Sequence, residues 1–221
     1  MNLPASLFGM AWHGVSLALA APVLYQVWRR APWARLKDPA QLNLLLGLAV
    51  TLALAWSMRA GIKPGLDLHL LGAMLAVLCL GARLALVAMA LALTAITLTG
   101  VQDWQAWPLN FLVMAVAPAL VAHGIQRWVA RHLPEHFFVF VFVVGFAGSA
   151  VILVFQGVIA CAVMAFAGVY EPGFLIDDYL PYLLMMGFSE AWLSGALVTL
   201  MVVYRPEWVA AFDDRRYLLN K

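Results

Sequence analysis

The stretch PGLDLHLLGAMLAVLCLGARLALVAMALALTAITLTG, residues 64–100, contains Asp67 and Arg83 as its only formally charged residues and His69 as its only histidine. A run of this length with so few charges cannot sit on the surface of a soluble domain. About 20 consecutive apolar residues span the hydrocarbon core of a bilayer. The stretch reads as two short crossings, 68–82 and 84–99, on either side of Arg83. They form a tight hairpin or two barely tilted helices. His69 stands at the edge of the first, where a polar side chain is costly without a partner.

The rest of the chain extends this pattern. Of its 221 residues, 65% are hydrophobic and 11% charged, against about 45–50% and about 25% in ordinary soluble domains. The mean hydropathy is +0.92. Further crossings fall at 6–28, 41–58, 108–126, 137–168 and 179–203, making seven in one transmembrane domain over 1–221. The 137–168 run is too long for one perpendicular pass. Gly145, Gly148 and Gly157 within it suggest a tilt, a kink or an entering loop. The expected fold is all-α: an integral membrane bundle of six or seven transmembrane helices. The segment "SLALAAP", residues 16–22, faintly resembles a cleavage site, but Arg29 and Arg30 follow the apolar stretch rather than precede it. The segment is therefore read as a retained helix.

Basic residues orient such a bundle. With the N-terminus outside, the inner side receives Arg29, Arg30, Arg35, Lys37, Arg83, Arg127, Arg131, Arg205, Arg215, Arg216 and Lys221. The outer side receives Arg59 and Lys63. This asymmetry predicts an outer N-terminus and an inner C-terminus. The net charge of +2 then reports orientation and gives no sign of nucleic-acid binding. The tryptophans near the predicted boundaries, among them Trp28, Trp33, Trp104 and Trp107, form an interfacial belt.

Few side chains offer chemistry. His69 is a metal or substrate ligand, or a histidine satisfied by a carbonyl or by Asp67. Asp67 caps the following helix, or orients the imidazole. His13 faces the outer vestibule or bonds to a facing helix. Glu190 is the only acid deep within a crossing, and such carboxylates are functional candidates. A structural hydrogen bond or partner contact suits it better than ligation, and Arg59 or His13 could pair with it. His123, His132 and His136 read as a solvated basic face. Cys79 and Cys161 lack metal-ligand spacing and read as core, as do the scattered methionines. No nucleotide-binding loop, HExxH or nucleophile elbow is present. The chain is read as no enzyme. A membrane metalloenzyme built on His13, His69 and Glu190 is the weakest reading, because these lie at different depths.

The segment PGLDLHLLGAMLAVLCLGARLAL resembles the proline-and-histidine segment of the CbiM/NikM family, the substrate-capture components of energy-coupling-factor transporters for cobalt and nickel. MNLPASLF is similar to that family's opening, and GFSEAWLSGALVTLMVVYRPE to its last helix. The resemblance implies a divalent transition metal ion, cobalt or nickel, as substrate and no organic cofactor. It implies a membrane coupling subunit and ATP-binding ATPase subunits as partners. Carried over residue by residue, it implies Met1, Asn2 and His69 as ligands, with the amino end folded back as a plug. His13, Asp67 and Glu190 are possible additions. The family has histidine at the second position where this chain has Asn2, and Ala5 and Ser6 replace its acidic residue and glycine. A carboxamide is a weaker, harder donor than imidazole. The alternative is therefore an accessory or structural subunit with the family scaffold and a degraded metal site.

Overall fold

The computed structural model describes residues 2–61, 63–213 and 217. Seven helices make up the bundle: α1 (Met10–Arg30), α2 (Pro39–Ser57), α3 (Ala73–Leu80), α4 (Ala82–Leu98), α5 (Trp104–His132), α6 (Val139–Phe166) and α7 (Pro172–Tyr204). A minimal hairpin, β1 (Ala60–Gly61) with β2 (Asp67–Leu68), joins α2 to α3. Among the described residues, α2, α5, α6 and α7 are each long and apolar enough to cross a membrane, and α4 is a shorter apolar helix. Each of the seven expected passes thus falls on a helix, and four of those helices are by length and composition able to cross a membrane.

The third pass departs from the reading of a helix over 68–82. Only 73–80 is helical, about 12 Å at 1.5 Å per residue. Residues 69–72 reach the helix as non-helical chain. Backbone of this kind is tolerated at membrane depth only inside protein, where other groups satisfy its N–H and C=O. All eight residues of α3 are buried, and its ends are served by distant parts of the chain. At the N-terminal end, Glu190 Oε2 accepts the Leu71 N–H at 2.8 Å and Oε1 accepts the Gly72 N–H at 2.7 Å. The Ser194 hydroxyl donates to Oε1 at 3.0 Å. The Trp56 indole donates to the Leu71 carbonyl at 3.1 Å. At the C-terminal end, the N–H groups of Ala210 and Ala211 donate to the Cys79 and Leu78 carbonyls. Arg35 Nη1 donates to the Leu80 carbonyl at 3.0 Å. The N–H groups leading into this two-turn helix and the carbonyls at its end therefore have partners from distant parts of the chain.

Asp67 does not cap this helix. It sits on β2 and pairs with Arg59 at 2.8 Å, so Glu190 takes the capping position and Arg59 is not the partner of Glu190. Gly72 stands where the chain turns into α3 with φ +67°, and a Cβ there would lie 2.5 Å from Leu52 Cδ2. Both the left-handed backbone and the space demand glycine.

The long pass at 137–168 is one continuous helix, α6, of 28 residues, about 42 Å against a hydrocarbon core of about 30 Å. Its first turns, 139–147, are π-helical, and no loop enters the bundle there. The glycines that suggested a kink serve packing instead. A Cβ on Gly157 would collide with Leu183 of α7, and Gly195 of α7 receives Phe146 of α6. This is the close approach small residues permit between membrane helices.

The two ends of the bundle differ in charge. One gathers Arg30, Arg35, Arg83 and the 205–212 segment, tied by the Arg83–Arg30 carbonyl contact at 2.9 Å and the α3 caps. The other holds the amino end, the hairpin and the α4–α5 and α6–α7 loops. Arg215, Arg216 and Lys221 lie outside the described residues.

Replacing Glu190 with Ala leaves two buried N–H groups unpaired and should cost about 3 kcal/mol. Gly72→Ala should also destabilise the protein, through strain and the Leu52 clash. Thermal unfolding in detergent checks both. A melting temperature unchanged in Glu190→Ala would contradict this account of α3.

Candidate metal-capture site

The amino end folds back into the bundle. Leu3 is fully buried among Phe8, Leu66, Leu109, Val113, Met164 and Tyr179. Its N–H donates to Asn110 Oδ1 at 2.9 Å, and its carbonyl accepts from Asn110 Nδ2 at 2.9 Å. Asn110 is itself fully buried on α5 and therefore reads the backbone of Leu3 as a neighbouring strand would. One turn on, the Ala5 N–H donates to Asp103 Oδ2 at 3.2 Å. A side chain on Gly65, at the hairpin turn, would meet Pro4 and Leu7. The amino end thus lies against both the hairpin and the α4–α5 loop.

These elements enclose a cavity of about 360 Å³ lined by Asn2, Leu3, Pro4, Arg59, Gly61, Pro64, Gly65, Asp67, Val101, Gln102 and Asp103. Asn2 is 3% exposed, and neither polar atom of its side chain has a hydrogen-bond partner. Asp67 contributes the carboxylate held by Arg59, and Arg59 Nη2 also reaches the Val101 carbonyl at 3.3 Å. Met1 lies outside the described residues.

His69 is 5% exposed and lies two residues beyond Asp67; it is not among the residues that line this cavity. Its ring stands 6.4 Å from that of Trp56. Nδ1 lies 2.9 Å from the Leu70 carbonyl, which can only accept, so Nδ1 is the donor in this contact. The segment bearing His69 is clamped on both sides. The Tyr179 hydroxyl donates to the Asp67 carbonyl at 3.3 Å, and Glu190 and Trp56 hold Leu71 and Gly72. Outside the clamp, Tyr170 donates to the Pro64 carbonyl at 2.9 Å, and Lys63 lies 3.9 Å over the Phe174 ring. Glu190 therefore positions the His69 segment from behind.

His13 lines a separate cavity of about 570 Å³ with Ala5, Ser6, Phe8, Met10, Asp103, Trp104 and Gln105. The two cavities share Ala5's partner Asp103, and His13 does not line the first. Among the described residues, no three His, Cys, Asp or Glu side chains converge as a metal site. Sequence reasoning overlooked Asn110, Gln102, Trp56 and Tyr179. An amide followed by a dozen residues without another polar side chain, in the run 108–126, was a usable signal for Asn110. Nothing local marked the others.

Two solved structures share this fold. One, a truncated transition metal transporter, has a TM-score of 0.79 at 20% identity, covering 92% of this chain and 99% of its own. The other, a transition metal transporter, has a TM-score of 0.76 at 20% identity, covering 91% and 92%. No curated protein matches the chain at a significant level. Residues 2–208 match the family model of the CbiM cobalt uptake substrate-specific transmembrane region. The chain belongs to the CbiM family and is a multi-pass membrane component of metal uptake, not an enzyme.

Proposed function

We propose that this protein is the substrate-binding membrane component of an energy-coupling-factor-type transporter for a divalent transition metal ion of the cobalt and nickel kind. Its partners are a membrane coupling subunit and ATP-binding ATPase subunits. It resides in the bacterial inner membrane with its amino end outside and its carboxyl end inside, the orientation favoured by the crowding of basic residues at one end of the bundle. Capture takes place at the hairpin end.

One observation carries this reading. Asn110 tethers Leu3 next to Asn2, whose polar side-chain atoms are both unpaired and which lines one cavity with Asp67, two residues before His69. A purely structural amino end would have no reason to bury an unsatisfied carboxamide, because such groups cost about 1–3 kcal/mol. Met1, Asn2 and His69 form the proposed ligand set, with Asp67 close by. Glu190 and Asn110 hold the chain in place. The second reading, an accessory subunit whose site is degraded, is favoured by Asn2 standing where the family has histidine. The two differ in whether the protein holds an ion.

Protein purified with its native amino end should retain about one Co(II) or Ni(II) per chain by elemental analysis, and His69→Ala should lose it. An N-terminal extension should abolish retention as well. A metal content near zero in the wild-type protein would favour the accessory reading. Asn110→Leu frees both backbone groups of Leu3 and should weaken metal binding by roughly ten- to a hundredfold without touching the ion, as one or two lost hydrogen bonds imply. Asn2→His restores a nitrogen donor and should raise Ni(II) affinity by about tenfold or more, measured by competition with a chromogenic chelator.

A further inference from the structure

Gln102 follows a helix stop whose geometry leaves its side chain no structural task. α4 ends in a tight turn in which the Val101 N–H donates to the Ile96 carbonyl at 3.0 Å and the Gly100 N–H to the Thr97 carbonyl at 3.1 Å. Gly100 adopts φ +76°. This is the glycine-dependent arrangement that satisfies the last carbonyls of a helix. The neighbours of Gln102 then fasten the loop on both sides. The Val101 carbonyl accepts from Arg59, and Asp103 accepts from the Ala5 N–H. Between them Gln102 turns inward. It is 8% exposed, and neither Nε2 nor Oε1 has a partner.

An apolar side chain at position 102 would fill the same space without this cost. Nearly all buried polar side-chain atoms in folded proteins are hydrogen-bonded. Here Gln102 and Asn2 both line one cavity, and their four amide atoms are buried without a partner. Asp67 and Asp103 supply two carboxylates to the same lining, and Arg59 offsets one of them. The lining is thus rich in oxygen donors and acidic by one formal charge.

We propose that Gln102 is a specificity-determining ligand of the transported ion, its carboxamide oxygen acting with that of Asn2. Together they favour a six-coordinate, oxygen-accepting divalent cation such as Co(II) over the square-planar arrangement that nitrogen donors impose on Ni(II) or Cu(II). Neutral carbonyl oxygens are hard donors and do not enforce planarity, whereas imidazole and amidate nitrogens favour the later metals. This inference rests on the metal-capture reading above and names its substrate class.

The test uses the full chain with a native amino end, loaded with Co(II) or Ni(II) chloride alone. Affinities are measured by chelator competition, and coordination number is read from the visible d–d spectrum of bound Co(II). Wild type should show the weak bands of six-coordinate Co(II). Gln102→Leu should lower Co(II) affinity by about ten- to a hundredfold, lower Ni(II) affinity less, and strengthen the visible bands as coordination number falls. Gln102→Glu keeps an oxygen donor in the same place and should retain Co(II) with the six-coordinate spectrum. Unchanged Co(II) affinity and spectrum in Gln102→Leu, with His69→Ala still abolishing binding, would overturn the role of Gln102 and leave metal capture standing. Equal loss in both Gln102 variants, with a lowered melting temperature of the metal-free protein, would assign Gln102 to loop structure and likewise overturn the proposal. Absence of Co(II) binding in wild type would overturn both readings together.

Discussion

The Glu190 carboxylate is the contact on which the middle of this protein depends. It places two acceptor oxygens against the N–H groups of Leu71 and Gly72 and so permits non-helical chain inside an apolar bundle. Without it, residues 69–72 would carry bare N–H groups where no water is available, and the chain would gain by forming helix from Leu68 onward. Helix at that point would turn His69 with the spiral of α3. The carboxylate on α7 thus dictates how the histidine on the third pass is presented, although the two touch different residues.

The same solution recurs at the other end of α3, where the carbonyls of Leu78, Cys79 and Leu80 are taken by Ala211, Ala210 and Arg35. A helix of two turns has almost no stability of its own. Here it is enclosed on every side and capped from segments more than a hundred residues away as well as from the α1–α2 loop. The central pass is therefore the part of the fold most dependent on the rest being assembled, and it leads directly to His69.

At the hairpin end the logic is repeated with amides. Asn110 matches both backbone groups of Leu3, Asp103 holds Ala5, and Arg59 bridges Asp67 to Val101. The amino end is thereby treated as an internal segment. Among the described residues, buried side-chain atoms of Asn2, His13, Gln102 and Gln156 have no partner, and of these Asn2 and Gln102 line one cavity. Donor and acceptor capacity that remains after the scaffold has been satisfied is the capacity available to a cargo ion.

Much of this was legible in the sequence, because bilayer solvation acts on residue type alone. Apolar run lengths marked the passes, and the basic residues Arg30, Arg35 and Arg83 marked one end of the bundle before any contact was known. The His-Leu-Leu-Gly-Ala block and the amino end carried the family resemblance, and Glu190 stood out as a lone acid. The partners of these residues were not legible. Hydropathy extended the third helix back to Leu68 and assigned its cap to the nearby Asp67, because local rules favour near neighbours. The cap comes instead from a residue 118 positions away, and Asp67 is drawn to Arg59. Nothing in the sequence marked Gln102, since whether a carboxamide is satisfied depends on what folds around it. Composition decides which segments enter the membrane. Tertiary packing decides which polar atoms inside it are already paired, and hence which remain to bind.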